Sequence, residues 1–472
     1  MHTLKVIAGI AVSGLILAGC ESTSDDDDTT TAQASLRVLH ASPDAPAVNV
    51  YLNDAMTPAV DTLDYGSASA FASVDAGTYG TEVYGILPSG ADTDDAVIDA
   101  DLTLEEDMEY TVVAVNALAS ISAKVFADDG SEQDSSKVRV QVAHLAPDAP
   151  TVDVHVTAPG ATLTANTVLG TLEFTAESDL LGPTLVDEGT YQIRVTAQGD
   201  TDPVYDSGSV ELTAGSDLFI GAIPNMSGIG SSPIALAVSD GTNTSLLYDK
   251  NSSDVAVRAV HNAVDVPAVD IFAAADTTSA LDVTDFTSAD ALYSDVSFPA
   301  ISAYTEVGSG DYDLAVSLNP DAADASISEE GITLANGTSY TVFAMGTLDG
   351  GDSADLELVP YVDDRRSVAT AAKVRIIHGS ALTANVDLYA TSGPLAGAVI
   401  TNETPAYEDV PYKGNTPFIE LAAGTYTFTV TPTGTKTIAV QAELTVAAGD
   451  IYTVWARDDD PGVAIAVEND SD

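Results

Sequence analysis

Arg37-Val-Leu-His40-Ala-Ser-Pro43-Asp44-Ala-Pro46-Ala-Val-Asn49-Val-Tyr51 is the stretch from which the rest of the chain can be read, because it is written four times. The second copy is Val142-Ala-His144-Leu-Ala-Pro147-Asp148-Ala-Pro150-Thr-Val-Asp153-Val-His155. The third is Arg258-Ala-Val-His261-Asn-Ala-Val-Asp265-Val-Pro267-Ala-Val-Asp270-Ile-Phe272, and the fourth is Arg375-Ile-Ile-His378-Gly-Ser-Ala-Leu382-Thr-Ala-Asn-Val-Asp387-Leu-Tyr389. In every copy an Asp or Asn follows the His by nine residues, and the histidines are spaced by 104, 117 and 117 residues. Chance does not place four of six histidines in one register. Self-similarity at such a period marks tandem copies of one domain.

Within the stretch, one strand ends and another begins. Val48, Val50 and Leu52 fall on one face by the two-residue period of a strand, and Asn49 and Tyr51 fall on the other. The same holds for Val152, Val154 and Val156 against Asp153 and His155. Between the strands, Pro43 and Pro46 fix φ and remove two donors, while Asp44 can close an Asx-type turn. The first reading of the motif is a rigid corner braced by a His and an Asp. The second is a ligand or metal site built from His40, Asp44 and Asn49 and their equivalents: His144, Asp148 and Asp153; His261, Asp265 and Asp270; His378 and Asp387. One His with one or two carboxylates falls short of the four ligands of a closed transition-metal site, and the fourth copy has Leu382 in place of the Asp.

Further along each copy stands a turn glycine that opens an alternating strand: Gly77-Thr-Tyr79, Gly189-Thr-Tyr191, Gly310-Asp-Tyr312 and Gly424-Thr-Tyr426. A strand-turn-strand element follows, at Leu104–Val115, Leu212–Ala222, Leu334–Ala344 and Leu444–Ala456. No sustained helical period occurs beyond the N-terminal segment. Copies near one hundred residues, with roughly seven short strands and Gly/Asp/Asn-rich turns, predict an all-β chain of tandem antiparallel Ig-like β-sandwiches. The expected repeats cover residues 36–130, 136–240, 254–364 and 372–470. Immunoglobulin-type cysteines are absent.

The opening motif, with its His40-Ala-Ser-Pro-Asp-Ala-Pro46 core, is similar to the bacterial family called domain of unknown function 4397. The resemblance runs through all four copies, closest in the first and weakest in the fourth, which lacks both prolines. It implies an exported bacterial protein, often tandem and lipid-anchored, and it carries over no catalytic residue.

The N-terminus fits that implication. Lys5 precedes an apolar run, Val6–Ala18, which is shorter than the roughly 20 residues needed to span a bilayer. A short apolar core after a positive start reads as a signal peptide, residues 1–19. It ends in Leu17-Ala18-Gly19-Cys20, which resembles the lipobox of bacterial lipoproteins and would place diacylglycerol on Cys20, the chain's single cysteine. Two or more acyl chains anchor stably, so the expected membrane partner is reached through Cys20. Residues 20–35 read as an acidic tether, and Glu21, by resemblance to enterobacterial sorting, favours the outer membrane.

Charge narrows the partners. With 72 acidic and 15 basic residues the net charge is −57, which repels phosphate backbones and excludes nucleic acid. Like-charged neighbours joined by short acidic linkers such as Asp128–Asp134 are expected to stand apart. Six of the basic residues (Arg37, Lys137, Arg139, Arg258, Lys373 and Arg375) fall on the first strands of repeats, which predicts pairing with acidic linkers or neighbours. No cofactor is expected. The acid-rich loops (Asp92, Asp94, Asp95; Asp128, Asp129; Asp363, Asp364) leave calcium as the one candidate, without an EF-hand or nonapeptide repeat. The sequence carries no His-Glu-x-x-His, Gly-x-Ser-x-Gly, phosphate loop or Ser-x-x-Lys, so no enzyme is expected. Trp455 is read as a core or edge residue. The resulting expectation is a non-enzymatic, membrane-anchored envelope lipoprotein with an adhesive or structural role and an unknown protein or glycan partner. The alternative is a polysaccharide- or small-ligand-binding lipoprotein.

Overall fold

The computed structural model describes residues 31–131, 133–174, 180–250, 254–275, 291–318, 325–347, 355–396, 399–459 and 462–471. The expected signal peptide, Cys20 and most of the expected tether lie outside the described residues. The chain divides into two units, one of residues 1–225 with 233–247 and one of residues 226–232 with 248–472. Each unit holds two repeats.

The first repeat has eight strands: β1 (Gln33–His40), β2 (Val48–Leu52), β3 (Val60–Leu63), β4 (Ala72–Asp75), β5 (Gly77–Gly85), β6 (Ile98–Leu104), β7 (Glu109–Val115) and β8 (Ser122–Asp128). They form two sheets, ordered β4-β1-β7-β8 and β3-β2-β5-β6. All neighbours are antiparallel except β1 and β7, which run parallel with His40 opposite Ala114. The third repeat repeats this order, with Thr305–Val307, Val255–His261, Ser339–Met345 and Glu357–Asp363 in one sheet. Its other sheet is Tyr293–Val296, Val269–Ala275, Gly310–Leu318 and Ala325–Leu334. The fourth follows the same plan. The second adds a fifth strand, Thr244–Leu247, to the sheet that begins with Lys137–His144. Among the described residues there is no α-helix, and no helix is long and apolar enough to cross a membrane.

Between the two sheets lies each repeat's core. In β2 the burial alternates, with Val48, Val50 and Leu52 inside and Asn49 and Tyr51 half-buried. In the second repeat Val152, Val154, Ile193, Val195, Val140 and Val142 meet in one cluster, and the third and fourth repeats have counterparts. The glycine-x-tyrosine landmark closes each sandwich in the same way. The hydroxyls of Tyr79, Tyr191, Tyr312 and Tyr426 donate to the carbonyls of Asp75, Asp187, Gly308 and Ala422, four residues upstream, at 2.8, 3.0, 2.9 and 3.0 Å.

The strands that end in the recurring His do not alternate. Val255–His261 and Ala372–Gly379 are buried throughout, as is Ser339–Met345 beside the former. A parallel central pair buried on both faces reads as a continuous apolar run. One face points into its own sandwich and the other meets the neighbouring repeat. In the first unit Leu39, Val113 and Val115 pack against Ala143, Leu145, Phe219, Ile223 and Ala237. In the second, Val260, Phe343, Met345 and Tyr361 pack against Ile377 and Trp455. Within each unit this corrects the expectation that neighbouring repeats stand apart. A shared apolar face, at about 25 cal/mol per Å² removed from water, outweighs repulsion between charges that salt screens within about 8 Å.

Candidate functional site: the recurring corner and the paired sheets

All four histidines of the motif are buried, at most 1% exposed, and each spans its own corner. The Nε2 atoms of His40, His144, His261 and His378 lie 3.0, 3.1, 2.9 and 3.0 Å from the carbonyl oxygens of Pro46, Pro150, Pro267 and Ala384. In the first three repeats Nδ1 accepts a backbone N–H two residues on, from Ser42, Ala146 and Ala263. A nitrogen that accepts leaves Nε2 protonated and donating, so these rings are neutral. Each ring also meets an aromatic ring, Tyr65, Phe174, Phe298 or Tyr412, at centroid distances of 6.1–6.2 Å. Burial lowers the pKa of His261 and His378 below the ordinary histidine value.

The carboxylates go elsewhere. Asp44 does not close a local turn; its Oδ1 accepts the Leu118 N–H at 2.7 Å, tying the corner to the β7–β8 connection 74 residues away. Asp148 and Asp265, at the matching positions, are exposed and make no hydrogen bond among the described residues. In the fourth repeat, where Leu382 replaces the Asp, the bracing group comes from the opposite side. Asp458 accepts the Ala381 and Leu382 N–H groups at 3.0 and 3.2 Å, and it also accepts the Ser380 hydroxyl.

The residue nine after the His serves a third purpose. Asn49, Asp270 and Asp387 accept the N–H of Thr62, Asp295 and Asp409 at 2.9, 2.8 and 3.0 Å. These three donor residues all have φ near +55°, and the strand pairing shifts register beside them. The side chain therefore clamps a β-bulge on the edge strand. In the second repeat Asp153 instead accepts the Thr171 hydroxyl and the Gly199 N–H at 2.5 and 2.7 Å. The His, the corner Asp and the Asx residue thus use separate partners and do not converge. Among the described residues no group of three or more His, Cys, Asp or Glu side chains is placed to hold a metal ion. Asp92 is engaged by Asn49 and Tyr51 at 2.7 Å each, Asp128 by Arg139 and Gln141, and Asp364 by Lys373 and the Arg366 N–H.

The most strongly charged buried assembly lies where paired repeats meet. Three residues before the His stand Arg37, Gln141, Arg258 and Arg375, each opposite a residue of the parallel strand: Thr111, Phe219, Thr341 and Thr453. Arg258, 3% exposed, lies 2.7 Å from Asp470, and Arg375, 1% exposed, lies 2.6 Å from Asp363. Asp363 also accepts the Tyr304 and Thr341 hydroxyls at 2.9 and 2.7 Å. Burial holds the Asp470 carboxyl above its ordinary range despite Arg258. Trp455 Nε1 donates to Asn262 Oδ1 at 3.0 Å, and Asn262 Nδ2 donates to the Gly379 carbonyl at 2.7 Å, so the indole is an anchor between repeats. In the first unit Arg139 pairs with Asp128 and Asp217. Of the clustered basic residues, Lys137, Arg139, Arg258, Lys373 and Arg375 pair with carboxylates on neighbouring strands and repeats, whereas Arg37 bonds the Thr111 and Ser239 hydroxyls. Asn262, Asp363 and Asp470 escaped the sequence reading as members of this assembly, although the unbroken apolar runs around them signal strands buried on two faces.

Residues 34–155, 271–389 and 393–472 match the family model of the domain of unknown function DUF4397. The chain belongs to the DUF4397 family. The rest of the second repeat and the opening strand of the third lie outside the matched residues, yet both fall within the same two-sheet plan. No curated protein matches the chain. Among solved structures, the Bacillus anthracis TIE protein aligns over 93% of this chain and 76% of its own, at 9% identity and a TM-score of 0.14. A Bacteroides ovatus protein described in terms of cell adhesion aligns over 49% of this chain and 98% of its own, at 12% identity and a TM-score of 0.19.

Proposed function

We propose that this chain is a non-enzymatic, lipid-anchored envelope protein whose paired sandwiches act as a structural or adhesive module at the cell surface. One observation carries the reading: the histidines repeated in all four copies are buried and bonded to their own corners. A side chain held this way braces a fold and has no open position for a substrate. The net charge of −57 adds a solvated surface that resists self-association. Anchoring through Cys20 follows from the lipobox resemblance, with an unknown protein or glycan partner.

The test is metabolic labelling with a palmitate analogue, combined with protease treatment of intact cells. The expected result is label on the full chain, none on Cys20→Ser, and cleavage of the chain from outside. Label retained by Cys20→Ser would remove the anchor from the proposal. Full protection in intact cells, lost on opening the envelope, would remove the surface and leave a periplasmic structural role.

A further inference from the structure

Where the first and second repeats meet, the structure holds a cavity of about 210 Å³ lined by Arg37, Phe71, Glu109, Gln141, Asp217 and Asp240, with Gly241 closing one side. Its origin is visible from the other unit. In the third and fourth repeats the last strand of the paired sheet carries a carboxylate at its end, Asp363 or Asp470, and each meets the partner repeat's arginine. In the second repeat the corresponding strand stops at Ser239 and turns at Asp240-Gly241, where Asp240 Oδ1 is taken up by the Thr242 and Asn243 N–H groups. The carboxylate that would face Arg37 is missing, and a cavity stands in that place.

Arg37 is 4% exposed. Its Nε donates to Thr111 Oγ1 at 2.8 Å and its Nη1 to Ser239 Oγ at 3.3 Å, and the guanidinium lies 4.4 and 5.0 Å from the Phe71 and Phe219 ring centroids. Among the described residues no carboxylate comes within ion-pair distance of it. A buried guanidinium without a carboxylate is costly, and among the described residues only Nε and Nη1 of Arg37 have hydrogen-bond partners. Asp217 is paired with Arg139, but the Glu109 carboxylate has no hydrogen-bond partner among the described residues. Asp240, exposed to solvent, brings the cavity to the surface. The lining therefore offers a cation without an ion-pair partner in Arg37, an unbonded carboxylate in Glu109, a second carboxylate in Asp240 already bonded through Oδ1, and the aromatic ring of Phe71.

We propose that this cavity binds a small amino-carboxylate zwitterion, its carboxylate on Arg37 in place of the missing aspartate and its cationic end toward Glu109 and Asp240. A simple anion would meet Glu109 and Asp240, and a simple cation would meet Arg37. Only a ligand carrying both charges compensates both walls. Burial pushes the Arg37 pKa down to about 10, outweighing the more distant carboxylates of Asp217, Glu109, Asp128 and Asp240, and burial first and then Asp217 raise that of Glu109. Both directions are those of charges lacking a close counter-ion. The site does not depend on where the chain is anchored.

The experiment is calorimetric titration of the full chain with L-alanine, L-proline and glycine betaine, using N-acetyl-L-alanine and L-alaninamide as single-charge controls. At least one zwitterion is expected to give saturable one-to-one binding, with the single-charge controls at least about tenfold weaker. Glu109→Gln, which removes one charge and no hydrogen bond, should weaken that zwitterion about tenfold without changing the melting temperature. Gly241→Asp, placed where φ is +84° and Asp is better tolerated than most residues, should restore the carboxylate and abolish binding. Absence of saturable binding by all three zwitterions would overturn the proposal. So would equal affinity for a single-charge control, or unchanged affinity in Glu109→Gln.

Discussion

The third and fourth repeats meet as equals, and the first and second do not. In the former pair each repeat gives an arginine and takes one: Arg258 faces Asp470 and Arg375 faces Asp363. Phe343 and Trp455, at matching places on the two sheets, meet edge to face with centroids 5.5 Å apart. That reciprocity is the signature of a self-complementary interface, here built within one chain. In the latter pair Gln141 and Phe219 replace the arginine and threonine of the second repeat. Asp128 is then met by Gln141 and by Arg139 from two residues earlier, and Arg37 has no carboxylate. Gly221 takes the place of Phe343 and Trp455; a Cβ there would lie 2.6 Å from Leu145 Cδ1, so Leu145 fills the space a ring fills elsewhere. Duplication supplied one interface chemistry, and the second repeat has traded its charged half for packing and a cavity.

The largest effect should come from breaking the reciprocal pair. Asp363→Ala leaves Arg375 buried without its carboxylate and strips the Tyr304 and Thr341 hydroxyls of an acceptor. Removing one member of a buried ion pair costs about 3–5 kcal/mol. Asp128→Ala should cost less, about 1–2 kcal/mol, because Arg139 keeps Asp217 and the Ser131 carbonyl. Urea unfolding of the full chain, read at Trp455 for the second unit and by calorimetry for both, gives the two numbers. Equal losses would mean that the two interfaces do not differ as their geometry implies.

A smaller effect sharpens the contrast within the second unit. His261 and His378 both have pKa values lowered first by burial, so in the folded state they stay neutral below the ordinary value of 6.5. Above pH 6.5 folded and unfolded chains are both neutral at these sites and stability is full. As pH falls through 6.5 the unfolded chain takes up protons that the folded chain refuses. Stability then drops by at most about 1.4 kcal/mol per pH unit for each histidine, until the lower folded value is reached. Melting of the second unit between pH 8 and pH 5 should follow this slope less the contribution of Asp470, whose pKa, raised by burial, favours the folded chain as pH falls. His378→Gln should remove one histidine's share of the slope. His378 Nδ1 is buried without a hydrogen-bond partner, so glutamine at this position should cost less than at His261, whose Nδ1 accepts the Ala263 N–H. An unchanged slope in His378→Gln would show that the buried ring is not held neutral.

The fold was readable because it was repeated. Four copies of one motif, a glycine-x-tyrosine turn and period-two strands specify sandwiches with little ambiguity, since shifting any strand by one residue would turn its apolar face outward. The eighth strand was not legible: β3 and β4 are four residues each, too short for a period to show. The parallel pairing of β1 with β7 was equally hidden, because local alternation carries no information on strand direction. The pairing of repeats was written in the sequence as strands apolar on both faces. Runs such as Val-Ala-Val-Arg258-Ala-Val-His261 are apolar at every second position on both faces, with an arginine embedded, which is the pattern of a strand covered twice. Asp470, which meets Arg258, lies 212 residues further on, and Asp363, which meets Arg375, lies 12 residues earlier at the end of the preceding repeat's last strand, so only the topology shows that the two pairs are equivalent.

The smallest effects separate two aspartates that look alike in sequence. Asp44 and Asp148 both stand in a Pro-Asp-Ala-Pro corner, and a reading of the motif alone gives them the same role. Asp44 accepts the Leu118 N–H at 2.7 Å at the start of a short 3₁₀ turn, Leu118–Ser120, so it satisfies a donor that the turn leaves open. Asp44→Ala should lower the stability of the first unit by about 1 kcal/mol, the scale of a lost helix cap. Asp148 is exposed and its carboxylate bonds nothing among the described residues, so Asp148→Ala should stay within about 0.5 kcal/mol of the parent. Paired chemical denaturation of the two variants decides it. Equal losses would mean that the aspartate acts through the turn conformation it favours, common to both corners. The predicted split would mean that a corner keeps its shape through the prolines and the histidine, while the aspartate matters only where a distant N–H has come to rely on it.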